Sequence, residues 1–264
     1  MKRNPRLFFA FRSPFSWMAI ERLLQFVPDA HKTIEFIPYW EPDSLTEDAL
    51  KQRGGEFHYT PMSKAKHLYI LQDTKRLADR FGLRMAWPVD IDPQWEVPHL
   101  GWLRARRFGM SGPFYAALTA ARWQRGENIC DPEVVRSLAR SLGLDPDIIA
   151  SAVVDSDVRA EAVECLMEAY EDDIFGVPYF RIGAHRFWGL DRLDDFVRVF
   201  LSTLATGKTT SLNTQPAAQH SQSVIEAKVS QGGGVEAPNV FGGVPLKLQS
   251  EVGAYDNDTA GGCG

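Results

Sequence analysis

Cysteine is scarce in this chain of 264 residues: only Cys130, Cys165 and Cys263 occur, and no two stand as Cys-x-x-Cys. None pairs with a histidine at metal-ligand spacing, and the six histidines are scattered singly, so the pattern carries no zinc framework and no local dithiol. Neither a Walker loop nor Gly-x-Gly-x-x-Gly is present, and the Gly232-Gly233-Gly234 run lacks the strand–helix context of a phosphate loop. No apolar stretch approaches the ~20 residues that span a bilayer. A basic excess is missing too: net charge is −5, which argues against a nucleic acid or an anionic membrane surface as partner. The basic start, Met1-Lys2-Arg3-Asn4-Pro5-Arg6, leads into Leu7-Phe8-Phe9-Ala10-Phe11, which breaks at Arg12 and is too short for a signal-peptide core. It reads as a buried first strand of a cytoplasmic protein.

What is present is a chain that is 44% hydrophobic, enough for a sizeable core. Residues 6 to about 206 read as folded. After the first strand, helical periodicity runs from Trp17 to Phe26, and Lys32-Thr33-Ile34-Glu35-Phe36-Ile37-Pro38-Tyr39 alternates as a second strand. Strand–helix–strand predicts a parallel pair. Residues 41–60 are polar and read as a loop. Residues 63–81 are helical with Gly82 as the stop, and Pro88, Pro93 and Pro98 make 86–98 a loop. Helical patterns follow over 100–108, 113–125, 132–141, 145–153 and 157–171. Asp131-Pro132 and Asp145-Pro146 supply an N-cap followed by proline at the first helical position. Two short strands, 179–182 and 186–188, form a hairpin through Gly183-Ala184, and a last helix covers 191–204. The order βαβ, helices, ββα is that of an α/β chain with a thioredoxin-like fold and an inserted all-helical domain. The expected division is 1–62 and 173–206 for the thioredoxin-like part, 63–172 for the insertion, and 207–264 for a disordered tail rich in Thr, Ser, Gln, Asn and Gly.

Two segments carry the chemistry. Ser13-Pro14-Phe15-Ser16 stands where the first strand gives way to a helix, a position that offers backbone N–H groups to an anion. Gly176-Val177-Pro178 precedes the third strand and is a candidate for a cis peptide, which presents a bent, exposed main chain. Serine stands at both places where a thioredoxin-type site would hold redox cysteines, so disulfide exchange is not the expected reaction.

Ordered motifs then match a known family. Phe11-Arg12-Ser13-Pro14-Phe15-Ser16-Trp17, Lys66-His67-Leu68-Tyr69 with Asp73-Thr74-Lys75-Arg76, Trp123-Gln124-Arg125-Gly126-Glu127-Asn128-Ile129, Phe175-Gly176-Val177-Pro178 and Phe187-Trp188-Gly189-Leu190-Asp191-Arg192-Leu193 resemble the 2-hydroxychromene-2-carboxylate isomerases and kappa-class glutathione transferases. The resemblance covers residues 6 to 204 and misses the tail. It implies a homodimer with glutathione, or another small thiol, as cofactor and a small, electrophilic, aromatic molecule as substrate. Ser13 would hydrogen-bond the sulfur, and a hydroxyl backed by a helix dipole favours thiolate. Val177, ahead of Pro178, would pair with the cysteinyl backbone, Leu190 and Asp191 would meet the γ-glutamyl end, and Lys66 would face the glycine carboxylate. Arg12 would aid thiolate formation or bind an acidic group, and Trp188 would line the substrate side. The family often has an asparagine shortly before the lysine-bearing helix; here the segment reads His58-Tyr59-Thr60-Pro61, and whether Thr60 replaces that asparagine is left open by the sequence.

Blander readings stand beside these. Ser13 also serves as a plain N-cap, Lys66 as part of a solvated basic face, and Asp191 as a partner for Arg192 or Arg76. Of Trp87, Trp95, Trp102, Tyr115, Trp123 and Trp188, most are expected in the core. Cys130 and Cys165 read as small buried hydrophobes. Two other functions remain open: a non-catalytic binding module, and an enzyme or carrier fused to a ribosomal-peptide-like tail bearing Ser250, Tyr255, Thr259 and Cys263, modified by the chain itself or by a partner.

Overall fold

The computed structural model describes residues 4–58 and 62–212. The expectations placed on Thr60, on Cys263 and on the peptide-like tail lie outside these residues, as does nearly all of the segment expected to be disordered.

Strand β1 (Arg6–Phe9) is buried along its whole length, which is why it reads as a continuous apolar run rather than an alternating one. It pairs in parallel with β2 (Glu35–Pro38) and antiparallel with β3 (Tyr179–Ile182), which pairs antiparallel with β4 (His185–Trp188). The sheet order is β2-β1-β3-β4. Helix α1 (Pro14–Phe26) connects β1 to β2, followed by the single turn α2 (Ala30–Thr33). The β3–β4 hairpin turns through Gly183 at φ 57°. The long α10 (Leu193–Leu212) packs on the hairpin and on α1, with Phe196 stacked on Phe180 at 4.8 Å. It extends past the expected end at residue 204.

Between β2 and β3 lie α3 (Ser44–Gln52), α4 (Lys64–Arg80), α5 (Glu96–Arg107), α6 (Ser111–Thr119) continuing as one π-helical turn, α7 (Pro132–Ser141), α8 (Pro146–Ala150) continuing as a 3₁₀ turn, and α9 (Ser156–Glu171). Asp131 and Asp145 cap α7 and α8 as expected, each accepting a backbone N–H at 2.9 Å. The helical block packs on the end of β1: the Phe9 ring meets Trp102 at 5.2 Å and Tyr115 at 5.4 Å. One apolar core therefore runs from the sheet into the helices.

Two expectations are corrected. The supposed loop over 41–60 contains α3. Its sequence is polar because only Thr46 and Leu50 are buried, and it is held by Asp43, which caps it through the Thr46 N–H at 2.8 Å and takes two bonds from Arg159 of α9. The supposed loop over 86–98 ends earlier, because α5 begins at Glu96 with Pro98 as its third residue. Proline is tolerated there because the first-turn N–H groups of a helix have no intrahelical acceptor.

Candidate functional site

Ser13 is the N-cap of α1, with extended backbone (φ −85°, ψ 115°) and Pro14 next, so the sequence Ser-Pro starts the helix by itself. Its Oγ accepts the Ser16 N–H at 3.1 Å, which leaves the hydroxyl proton as the group Ser13 has to give. Ser16 is not idle: its Oγ accepts the Ala10 N–H at 3.4 Å. Both serines are fully buried.

The Val177-Pro178 peptide is cis. The register Phe8↔Tyr179 sets Pro178 beside the C-terminal end of β1, from which the loop to Ser13 leaves. The Gly189 N–H donates to the Pro178 carbonyl at 2.9 Å, which draws the Leu190–Arg192 3₁₀ turn to the same place; that turn also packs against α1. The fold thus brings Ser13, Val177, Pro178, Leu190 and Asp191 to one region. Leu190 is buried, and Asp191 pairs with Arg192 at 2.7 Å, the partner the sequence suggested. Trp188, half-buried, packs edge-on to Phe175 at 4.7 Å, with a buried indole N–H that has no hydrogen-bond partner among the described residues.

Lys66 lies in the first turn of α4, where its N–H donates to the Ser63 cap at 3.2 Å; α4 also touches α1. Arg12 sits beside Ser13 in sequence, and its guanidinium bonds Glu41 at 3.2 Å and lies 6.0 Å from the Trp95 ring. Its charge is therefore already matched by a carboxylate.

Of the six aromatics, Trp95, Trp102, Tyr115 and Trp123 are core, and Trp87 is exposed. Trp95 and Trp123 flank Arg122, whose guanidinium lies 4.9 Å and 4.7 Å from their rings and is bound by Asp90 through two bonds of 2.8 Å. Cys130 and Cys165 are buried, and burial pushes each thiol up to about 12. Burial thus favours the thiol over the nucleophilic thiolate in both.

Two residues of the site region escaped the sequence reading. His99 of α5 is fully buried, and its Nε2 accepts the Phe11 N–H at 3.2 Å, across 88 positions of sequence. Glu96, one turn earlier, accepts the Trp40 indole N–H at 3.2 Å and the Asp43 N–H. Burial raises the Glu96 carboxyl against the lowering effect of those two donors, and burial depresses His99 to about 3, so its ring is neutral. The available signal was Glu96-x-x-His99, an i, i+3 pair on one helix face, hidden by reading Pro98 as a loop residue.

A DSBA-like thioredoxin domain matches residues 6–200, and the chain belongs to that family. Within it, the chain is 26% identical over 198 residues to the 2-hydroxychromene-2-carboxylate isomerase of Sphingobium xenophagum, covering 74% of this chain and 96% of that one. A solved structure of a 2-hydroxychromene-2-carboxylate isomerase superposes with a TM-score of 0.58 at 20% identity, over 79% of this chain and 97% of that one. The cytosolic disulfide reductase DsbM from Pseudomonas aeruginosa, solved with GSH, has a TM-score of 0.52 at 15% identity, over 76% and 98% of the two chains. A second relative named 2-hydroxychromene-2-carboxylate isomerase, from Pseudomonas putida, is 25% identical over 189 residues, covering 70% of this chain and 88% of that one. No helix among the described residues is long and apolar enough to cross a membrane.

Proposed function

We propose that the protein is a cytoplasmic, glutathione-dependent isomerase or transferase acting on an electrophilic, aromatic small molecule, and that it works as a homodimer. The observation that carries this is Ser13: a serine hydroxyl caps the helix that follows β1, where a dithiol enzyme needs cysteine, and the Val177-Pro178 step leads into the neighbouring strand β3. The names of the relatives by sequence support the isomerase half of the reading, and the GSH-bound structural neighbour suggests the thiol.

In this reading the Ser13 hydroxyl donates a hydrogen bond to the glutathione sulfur, and the positive end of α1 adds to the preference for thiolate. Val177, ahead of Pro178, pairs with the cysteinyl backbone, Leu190 and Asp191 receive the γ-glutamyl end, and Lys66 receives the glycine carboxylate. Arg12 and Trp188 stand on the substrate side. The thiolate adds to an unsaturated carbon conjugated with a carbonyl. A C–S bond forms, the C=C becomes single, and its electron pair moves to the carbonyl oxygen as an enolate. Rotation about the new single bond follows. The enolate pair then returns, the C–S bond breaks, and the thiolate leaves with the isomer released. The thiol is recycled, and the protein's share is orientation and charge stabilisation.

Calorimetric titration of glutathione into the full chain and into Ser13→Ala tests this. Binding that weakens about tenfold or more in the variant is expected from the loss of a charge-assisted hydrogen bond. No binding to the unaltered chain sinks the thiol reading, and binding without turnover across a panel of unsaturated aromatic ketones leaves a binding module instead of an enzyme.

A further inference from the structure

The first turn of α5 holds two loops at once. Because β1 and β2 are parallel, the loops that follow them leave the sheet at the same end. Backbone N–H groups in such loops lack ladder partners, and a buried one left unpaired is costly. Phe11 is such a case, since its residue is buried and its N–H finds its acceptor in His99. The Asp43 N–H, in the second loop, is taken by Glu96.

The imidazole is fixed on every side. Its Nδ1 lies 2.7 Å from the Trp95 carbonyl oxygen, which only accepts, so Nδ1 carries the ring proton and Nε2 is left as a bare acceptor. The ring stacks on Trp40 at 4.8 Å with an interplanar angle of 11°, and packs on Phe11 at 5.0 Å. Phe11 is two residues ahead of Ser13, and the loop between them closes through the Ser13 N–H to the Ala10 carbonyl at 3.2 Å. A shift of the Phe11 peptide is therefore passed to the Ser13 cap through a short, hydrogen-bonded turn.

We propose that His99 is a positioning residue of the site: by accepting the Phe11 N–H it fixes the loop that carries Ser13 and so sets where the Ser13 hydroxyl stands. Its effect on thiol binding rests on the function proposed above; the hydrogen bond and the loop it orders do not. His99 touches neither thiol nor substrate in this scheme. It makes the helical insertion part of the site's geometry without giving it a reacting group.

Nitrogen NMR of the imidazole in the unaltered full chain is the first test. A protonated Nδ1 with a bare Nε2 is expected, and a proton on Nε2 overturns the proposal, because Phe11 would then have no acceptor. Hydrogen exchange of the Phe11 amide in His99→Leu and His99→Gln is the second. A glutamine oxygen reaches the place of Nε2, so protection should fall about tenfold in His99→Leu, the worth of one hydrogen bond, and return in His99→Gln. Should His99→Leu fail to fold, His99→Asn, too short to reach Phe11, takes its place. Unchanged protection in a folded variant overturns the proposal. Glutathione titration of the same proteins should show affinity lost in His99→Leu and recovered in His99→Gln; affinity unchanged despite lost protection also overturns it. If the unaltered chain binds no glutathione, the thiol reading fails by itself, and the exchange data still decide the role of His99.

Discussion

The Gly189 amide donates to the Pro178 carbonyl at 2.9 Å and thereby joins two segments of the candidate site that the β3–β4 hairpin separates in sequence. Gly189 reaches this position at φ 95° and ψ 163°, a region open essentially to glycine alone. Gly189→Ala should therefore cost about 1–3 kcal/mol of stability. It should also weaken glutathione binding, since the Leu190–Arg192 turn loses its tie to Pro178. Urea unfolding and calorimetry on the same sample check both effects.

Asp90 should matter through Arg122. The Arg122 guanidinium is almost wholly buried between two indoles, and Asp90 supplies the carboxylate that matches it. Asp90→Ala strands that charge and should destabilise the fold by about 2 kcal/mol, less than for a fully buried pair because Asp90 is partly exposed. Adding Arg122→Met should recover much of the loss, because the charge that needs a partner is then gone. A double-mutant cycle by urea unfolding reads this directly.

Stability should fall as the solution is acidified, and His99 should account for part of the slope. Its ordinary value of 6.5 drops to about 3 in the fold, because burial disfavours the charged ring. Below its unfolded value the open chain takes up a proton that the folded chain refuses. The contribution is whole above about pH 6.5 and is lost at up to about 1.4 kcal/mol per pH unit as pH falls toward 3. His31, lowered to about 4 by burial, acts in the same direction. Glu96, raised by burial, acts in the opposite one, so the comparison to make is between the unaltered chain and His99→Gln, which should show the shallower loss between pH 6.5 and 4.5.

Asp191 sits in an exposed turn with only Arg192 as its close ion-pair partner among the described residues. Asp191→Asn should leave stability within about 0.5 kcal/mol. Glutathione affinity should drop by about tenfold if the carboxylate holds the γ-glutamyl ammonium. A γ-glutamyl-free thiol such as cysteinylglycine should bind both proteins equally.

Much of this was legible before the structure, for local reasons. Ser13-Pro14, Asp131-Pro132 and Asp145-Pro146 name helix starts because the cap and the fixed proline φ act within a few residues. The burial of β1 was legible from its unbroken apolar run. Helix α3 was not, because its stability comes from Arg159 and from burial of Leu50, neither of which leaves a periodic apolar stripe. The start of α5 was lost to Pro98, whose usual meaning is a break and whose position here is one of the few a helix accepts.

By itself, then, the sequence determined the fold class, the serine in place of a redox cysteine, and the Val-Pro step before β3, since each depends on residue types and neighbours close along the chain. Only the tertiary structure decided that Arg12 faces Glu41, that Pro178 is tied to Gly189, and that a histidine 88 positions away holds the loop leading to Ser13. Those are pairings across the core, where a buried donor must find whatever acceptor the packed helices bring to it, and no local pattern encodes which one that is.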